Sequence, residues 1–317
     1  MLLRSGAVLL AVTISFFAYT GFQYRSDIKE AYERIESVER KVIETDCGLI
    51  EYAESGSGDP VLVIHGIFGG FDQGLLLGKG QVGKGFRLIA PSRFGYLETP
   101  LPESPSPVKQ ADAFACLLNS LDIEKAGIVS TSAGSTSAVQ FALRHPDRCS
   151  GMVFISPNAP GKVDVSLPPK PLANMVFGSD YLFWFMTEYF NSTVRSMMGV
   201  PKDLKLTKEY RAEIARTIET VLPVSPRTEG GIFDMFTSNQ AINNYNLEEV
   251  TVPSLFIGAK DDPLAAYHNT KNMAKRTPGA ELVTLEEGGH MLLGHSDRVE
   301  EEIRYFLQNS LTEYSST

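Results

Sequence analysis

Two short stretches alternate apolar and polar side chains, Val42-Ile43-Glu44-Thr45 and Leu49-Ile50-Glu51-Tyr52, on either side of Cys47-Gly48. A period of two around a glycine predicts a pair of antiparallel strands. The pattern then changes. Residues 61–64 (Val-Leu-Val-Ile) are apolar without interruption, as expected of a central strand buried on both faces, and residues 86–90 read as the next one. Further strand patterns fall at 126–129, 151–156, 252–258 and 281–285. Between them apolar residues recur at helical spacing, as in Ala111, Phe114, Leu117, Leu118 and Leu121, or in Val299, Ile303, Phe306 and Leu307.

Two segments break this rhythm. Residues 158–247 are rich in Met and aromatic side chains (Met175, Phe177, Tyr181, Phe183, Trp184, Phe185, Met186, Tyr189, Phe190) and then strongly helical. At the other end, residues 5–24 form twenty positions without a charged side chain. A helix of that length spans roughly 30 Å, the thickness of a bilayer's hydrocarbon core. Residues 1–24 are therefore expected to be a transmembrane anchor, with a signal segment as the alternative, and 25–41 a charged helical stalk. On this reading the protein is bound to a membrane with its catalytic domain exported, or secreted after cleavage. Residues 312–317 read as a polar tail.

The chemistry concentrates where the apolar run 126–129 meets Ser130-Thr131-Ser132-Ala133-Gly134 and a helical segment follows. Small-x-Ser-x-Gly at a strand-to-helix junction is the pattern of a nucleophile elbow, with Ser130 where a glycine is usual. The residues two before and two after must be small so that the strand and helix backbones approach closely. Ser135 has small neighbours at both offsets but would lie well inside the helix. Ser130 and Ser137 would need small residues where Ile128 and Val139 stand, so the register selects Ser132.

With Ser132 at that junction, the order of motifs resembles the α/β-hydrolase family from about residue 44 to 311. The marks are His65-Gly66 after an apolar strand, Pro91-Ser92-Arg93-Phe94-Gly95-Tyr96, the elbow, Gly258-Ala259-Lys260-Asp261, and Gly288-Gly289-His290. The resemblance implies an α/β fold: a mostly parallel central sheet flanked by helices, with a core of 42–157 and 248–311. It also implies that 158–247 is a helical cap inserted before the acid-bearing strand. By the same resemblance Ser132, Asp261 and His290 are the catalytic triad. The Ile67 and Ala133 N–H groups form the oxyanion hole, with Phe68 as the neighbour that could replace Ile67. Asp262 is the competing acid, although before Pro263 it reads as a helix cap. His65 reads as a structural turn histidine, and His295 is the weaker candidate for the base. Ser92 departs from the acidic residue that other members often carry before the arginine.

Composition narrows the partners. A net charge of −9 argues against nucleic acid, which needs clustered Lys and Arg. The three cysteines, Cys47, Cys116 and Cys149, have no metal-ligand spacing, and no cofactor motif is present. Cys116 reads as a buried apolar residue; a Cys47–Cys149 bridge is conceivable, with free thiols the preferred reading. The expected activity is that of a serine hydrolase, since a histidine of ordinary pKa near 6.5 suits deprotonation of a serine at neutral pH. A carboxylic ester or similar acyl group, small and apolar, is the expected substrate. A carbon–carbon bond hydrolase or aminopeptidase-like enzyme on the same triad is the alternative. A membrane-tethered binding protein on a hydrolase scaffold would be expected to have lost a triad member.

Overall fold

The computed structural model describes the backbone of residues 2–162 and 167–314, and the side chains of 12–162 and 167–310. Among the described residues eight strands form one sheet: β1 (Lys41–Thr45), β2 (Gly48–Ser55), β3 (Asp59–Ile64), β4 (Phe86–Pro91), β5 (Ala126–Thr131), β6 (Cys149–Ile155), β7 (Ser254–Ala259) and β8 (Glu281–Leu285). Their spatial order is β1-β2-β4-β3-β5-β6-β7-β8. The β1–β2 and β2–β4 pairs are antiparallel and every other pair is parallel. The alternating stretches in the sequence are thus the antiparallel edge, and the continuous apolar runs are the parallel centre.

Helices follow in chain order: α1 (Leu2–Glu36), α2 (Phe71–Leu77), α3 (Pro107–Ser120), α4 (Gly134–Arg144), α5 (Lys170–Phe177), α6 (Asp180–Tyr189), α7 (Asn191–Met197), α8 (Lys208–Val221), α9 (Thr228–Phe233), α10 (Asn239–Ala241), α11 (Tyr267–Arg276) and α12 (Ser296–Tyr314). Successive side chains of a strand point to opposite faces, so each central strand feeds two cores. Leu62, Ile64 and Ile128 pack with Phe114, Leu117 and Phe141 of α3 and α4 on one face. Val61, Val63 and Val129 pack with Phe71, Leu75, Ile303 and Leu307 of α2 and α12 on the other. Burying each such side chain contributes roughly 1.5–3 kcal/mol.

Helices α5 to α10 fill the interval between β6 and β7, within the segment expected to be helical; its residues 163–166 lie outside the described residues. Phe177, Phe183, Trp184, Val221 and Val224 form a separate apolar cluster that reaches Ile67 and Phe68 of the core. Near the carboxyl end, α12 runs to Tyr314, so the first residues of the expected polar tail are helical and 315–317 lie outside the described residues.

The N-terminus corrects an expectation. Among the described residues no helix is long and apolar enough to cross a membrane, which overturns the anchor and the membrane-bound, exported location drawn from it. Side chains of residues 5–11, part of that expected segment, lie outside the described residues. Where side chains are described, part of the apolar pattern faces protein. Phe16 meets Phe185 and Tyr189, and Tyr24 meets Tyr181 and Trp184, all edge to face. Residues 25–36, part of the expected helical stalk, are helical. They are the last turns of α1, where Asp27 accepts a hydrogen bond from Trp184 Nε1 at 2.8 Å and Arg34 donates to the carbonyls of Glu219 and Leu222.

A second correction concerns the cysteines. Cys47, in the β1–β2 turn, is bonded to Cys116 on α3, with Cα atoms 6.0 Å apart. Cys149 is the free one, and its burial pushes the thiol pKa up to about 12. Cys116 stands on the side of α3 that meets the hairpin, which its apolar reading as a core residue concealed. The bridge closes a loop across a sequence separation of 69, worth up to about 4 kcal/mol in the chain-entropy account. Cys116→Ser is expected to lower the urea midpoint accordingly while leaving any catalytic rate unchanged; an unaltered midpoint would show that the bridge adds no stability.

Candidate active site

Ser132 sits between β5 and α4 with φ +49°, a left-handed conformation that costs a non-glycine residue roughly 1–2 kcal/mol. Its surroundings hold it there. The Ser132 N–H donates to Ile155 O at 3.1 Å, and Ser132 O accepts from the N–H groups of Ser135 and Asn158. The following Gly134 has no room for a side chain: a Cβ there would lie 2.6 Å from His65 O and 2.9 Å from Ile64 O. Ser130, the small residue before it, is fully buried and donates to Val153 O. Ser135, the competing serine, is fully buried with a hydroxyl that has no hydrogen-bond partner among the described residues.

His290 reaches this turn from the loop after β8. Its Nε2 lies 2.9 Å from Ser132 Oγ, and its Nδ1 lies 2.8 Å from Asp262 Oδ2. With the proton on Nδ1, the ring donates to the carboxylate and accepts from the serine hydroxyl. The acid in contact is therefore Asp262, not Asp261. Asp262 uses its other oxygen, Oδ1, to accept from the Leu264 and Ala265 N–H groups at 2.8 and 2.9 Å. These bonds fix the turn ahead of α11, whose N-cap is Ala266 without a side-chain cap, so Asp262 does not cap that helix as its place before Pro263 suggested.

Asp261 holds the loop instead. Its Oδ1 accepts from Gly289 N–H at 2.9 Å and its Oδ2 from Gly288 N–H at 3.2 Å. Just before His290, Gly288 and Gly289 have φ +127° and +63°, conformations that side chains rarely adopt. From the segment between β6 and β7, Gly199 O accepts from His290 N–H at 3.0 Å. Its contact was not foreseen, and the only sequence signal was Gly199 itself, whose φ is +72° and where a Cβ would lie 2.3 Å from that of His290. His295 stands immediately before α12, its carbonyl accepting from Val299 N–H, which suits the helix-cap reading.

The loop after β3 lies against the serine: a Cβ on Gly66 would be 3.4 Å from Ser132 Cβ. His65 is buried and serves the turn, its Nδ1 on Gly66 O at 2.7 Å and its Nε2 accepting from Arg93 N–H at 3.0 Å. Burial holds its pKa well below the ordinary histidine value, with the Arg93 charge adding to the effect. Ser92 is served by a carboxylate from another strand. Its hydroxyl accepts from Phe71 N–H at 3.1 Å, at the start of α2, and donates to buried Glu51 at 2.8 Å.

Residues 59–295 match the family profile described as the alpha/beta hydrolase fold, and the chain belongs to the α/β-hydrolase family. It is 25% identical over 268 residues to the 2-hydroxymuconate semialdehyde hydrolase of Pseudomonas putida, covering 80% of this chain and 89% of that protein. Among solved structures it resembles an alpha/beta hydrolase fold protein from Nakamurella multipartita, with a TM-score of 0.70 at 26% identity over 85% of this chain and 99% of that one. An esterase from Thermogutta terrifontis gives a TM-score of 0.66 at 22% identity, over 86% and 99% of the two chains, a likeness that speaks for the fold alone.

The two adjacent carboxylates can be told apart spectroscopically. The low-field proton resonance of His290 Nδ1–H is expected to vanish or move upfield in Asp262→Asn and to persist in Asp261→Asn; the reverse pattern would return the contact to Asp261.

Proposed function

We propose that this protein is a serine hydrolase of carboxylic esters or similar acyl compounds, with Ser132 as nucleophile, His290 as general base and acid, and Asp262 as the group that orients the imidazole. One observation carries the reading: the continuous chain from Ser132 Oγ to His290 Nε2 at 2.9 Å and from His290 Nδ1 to Asp262 at 2.8 Å, at a serine held in a strained turn. Asp262 takes the role that sequence spacing gave to Asp261.

In this mechanism His290 Nε2 removes the hydroxyl proton as Ser132 Oγ attacks the acyl carbonyl. Asp262 fixes the tautomer and offsets the charge of the imidazolium. The oxyanion receives the Ile67 and Ala133 N–H groups, the latter at the N-terminus of α4, whose dipole also favours negative charge. Collapse of the tetrahedral intermediate breaks the bond to the alcohol, which leaves with the proton from His290. Water, deprotonated by His290, then attacks the acyl-serine and releases the acid.

The helices of 158–247 act as a cap in this reading. The apolar cluster they share with Ile67 and Phe68, including the Phe68–Phe177 ring stack at 4.3 Å, supports a small apolar or ring-bearing acyl group. A second reading, carbon–carbon bond hydrolysis of a keto acid on the same triad, is favoured by the 2-hydroxymuconate semialdehyde hydrolase among the relatives. A ratio of kcat/KM for short-chain activated esters against such keto acids separates the two.

Ser132→Ala is expected to reduce hydrolysis of an activated ester to background, a loss of about 10⁶-fold in kcat, and Asp262→Asn to cost about 10⁴-fold. Ser135→Ala is expected to retain wild-type rates. An inactive Ser135→Ala beside an active Ser132→Ala would refute the assignment.

A further inference from the structure

Asp234 is fully buried, yet it belongs to the segment between β6 and β7 and not to the sheet. It begins a π-helical turn, Asp234–Ser238, directly after α9. Such turns are rare and occur often at functional sites. Its carboxylate takes both arms of Arg93, with Nη1 to Oδ1 at 2.9 Å and Nη2 to Oδ2 at 2.6 Å, and also accepts from the Tyr96 hydroxyl.

The other side of Arg93 meets the loop beside Ser132. Arg93 Nε donates to His65 O at 3.1 Å, Nη2 donates to Gly66 O at 3.0 Å, and its backbone N–H donates to His65 Nε2. The Tyr96 ring packs edge to face on His65 at 4.7 Å. The carbonyls of residues 65 and 66, directly before Ile67, are thus held by Arg93. The peptide plane that carries Ile67 N–H also carries Gly66 O, so a hydrogen bond to that carbonyl sets the direction of the N–H.

The contact between the segments is close and built for it. Gly230 N–H donates to Gly95 O at 2.9 Å, and a Cβ on Gly230 would fall 2.3 Å from the Tyr96 ring. A Cβ on Gly231 would fall 2.2 Å from the Phe68 ring. A buried, doubly hydrogen-bonded ion pair costs desolvation that hydrophobic packing would avoid, so its use here calls for a role in geometry.

We infer that Asp234 is a positioning residue for the oxyanion hole, acting through Arg93 and Tyr96 to hold the Gly66–Ile67 peptide in the orientation that receives the oxyanion. The inference rests on the serine-hydrolase reading and deepens it. It makes the seating of the segment between β6 and β7 a condition for transition-state stabilisation, so that this segment governs rate as well as access.

The test compares wild type with Asp234→Asn, and with Tyr96→Phe as the milder variant in case Asp234→Asn folds poorly. Steady-state hydrolysis of an activated ester is measured together with inhibition by an alkyl boronic acid, whose tetrahedral serine adduct places an oxygen in the hole. Displacing one oxyanion donor without removing it is expected to lower kcat by about 10- to 100-fold. KM should stay within about twofold, the boronate Ki should rise in parallel with the loss in kcat, and the pH midpoint of kcat/KM should not move. A purely structural role would lower thermal stability with kcat per folded molecule and boronate affinity unchanged, and would overturn the inference. A shifted pH midpoint would overturn it too, by placing the effect on His290. If wild type itself neither hydrolyses the ester nor binds the boronate, the hydrolase reading fails and this inference with it.

Discussion

Ser132 and His290 lie 158 residues apart in the chain and must stand 2.9 Å apart in space. Most of the architecture around the site answers to that constraint. The serine is fixed by a strained turn whose backbone is held by β6 and by the neighbouring Asn158. The histidine is fixed from three directions: Asp262 takes the ring, Asp261 takes the two N–H groups before it, and Gly199 takes its own N–H. Two adjacent carboxylates can divide this work because they leave the end of β7 toward different partners, one toward the ring and one toward the backbone of the same loop.

Much of this was legible in the sequence because it rests on short-range rules. Side-chain period separated the antiparallel edge from the parallel centre, and small residues around Ser132 marked the turn. The choice between Asp261 and Asp262 was not legible. At the end of a strand a one-residue offset turns a side chain to another direction, and spacing from Gly258 does not record which direction the loop takes. The helix-cap reading of Asp262 drew attention away from its contact with His290: one oxygen holds the turn ahead of α11, which Ala266 caps, and the other meets the ring.

The N-terminus was misread for a related reason. An uncharged run of twenty residues has the length of a membrane span, but freedom from charge is not apolarity: Thr13, Ser15, Thr20 and Gln23 interrupt the run, and among the described residues no helix is long and apolar enough to cross a membrane. Here Phe16 and Tyr24 meet rings of α6, and Asp27, Tyr32 and Arg34 carry the contact onward through polar bonds. The Cys47–Cys116 bridge escaped for want of the tertiary placement of α3 beside the hairpin. Arg93 was visible as part of a motif, whereas its partner Asp234 lies 141 positions away in a segment whose composition suggested only apolar packing.

These long-range polar contacts make the two parts of the molecule interdependent. The connections at the ends of the sheet strands carry Ser132, His290 and Asp262; the segment between β6 and β7 supplies Gly199 O to the His290 N–H and Asp234 to Arg93, which holds the loop beside Ser132. The central claim is that Ser132 is an activated serine. Labelling the folded protein with a fluorophosphonate and locating the adduct by peptide mass spectrometry tests it most directly. The account predicts a single adduct on Ser132; no adduct on folded protein, or one on another serine, would contradict it.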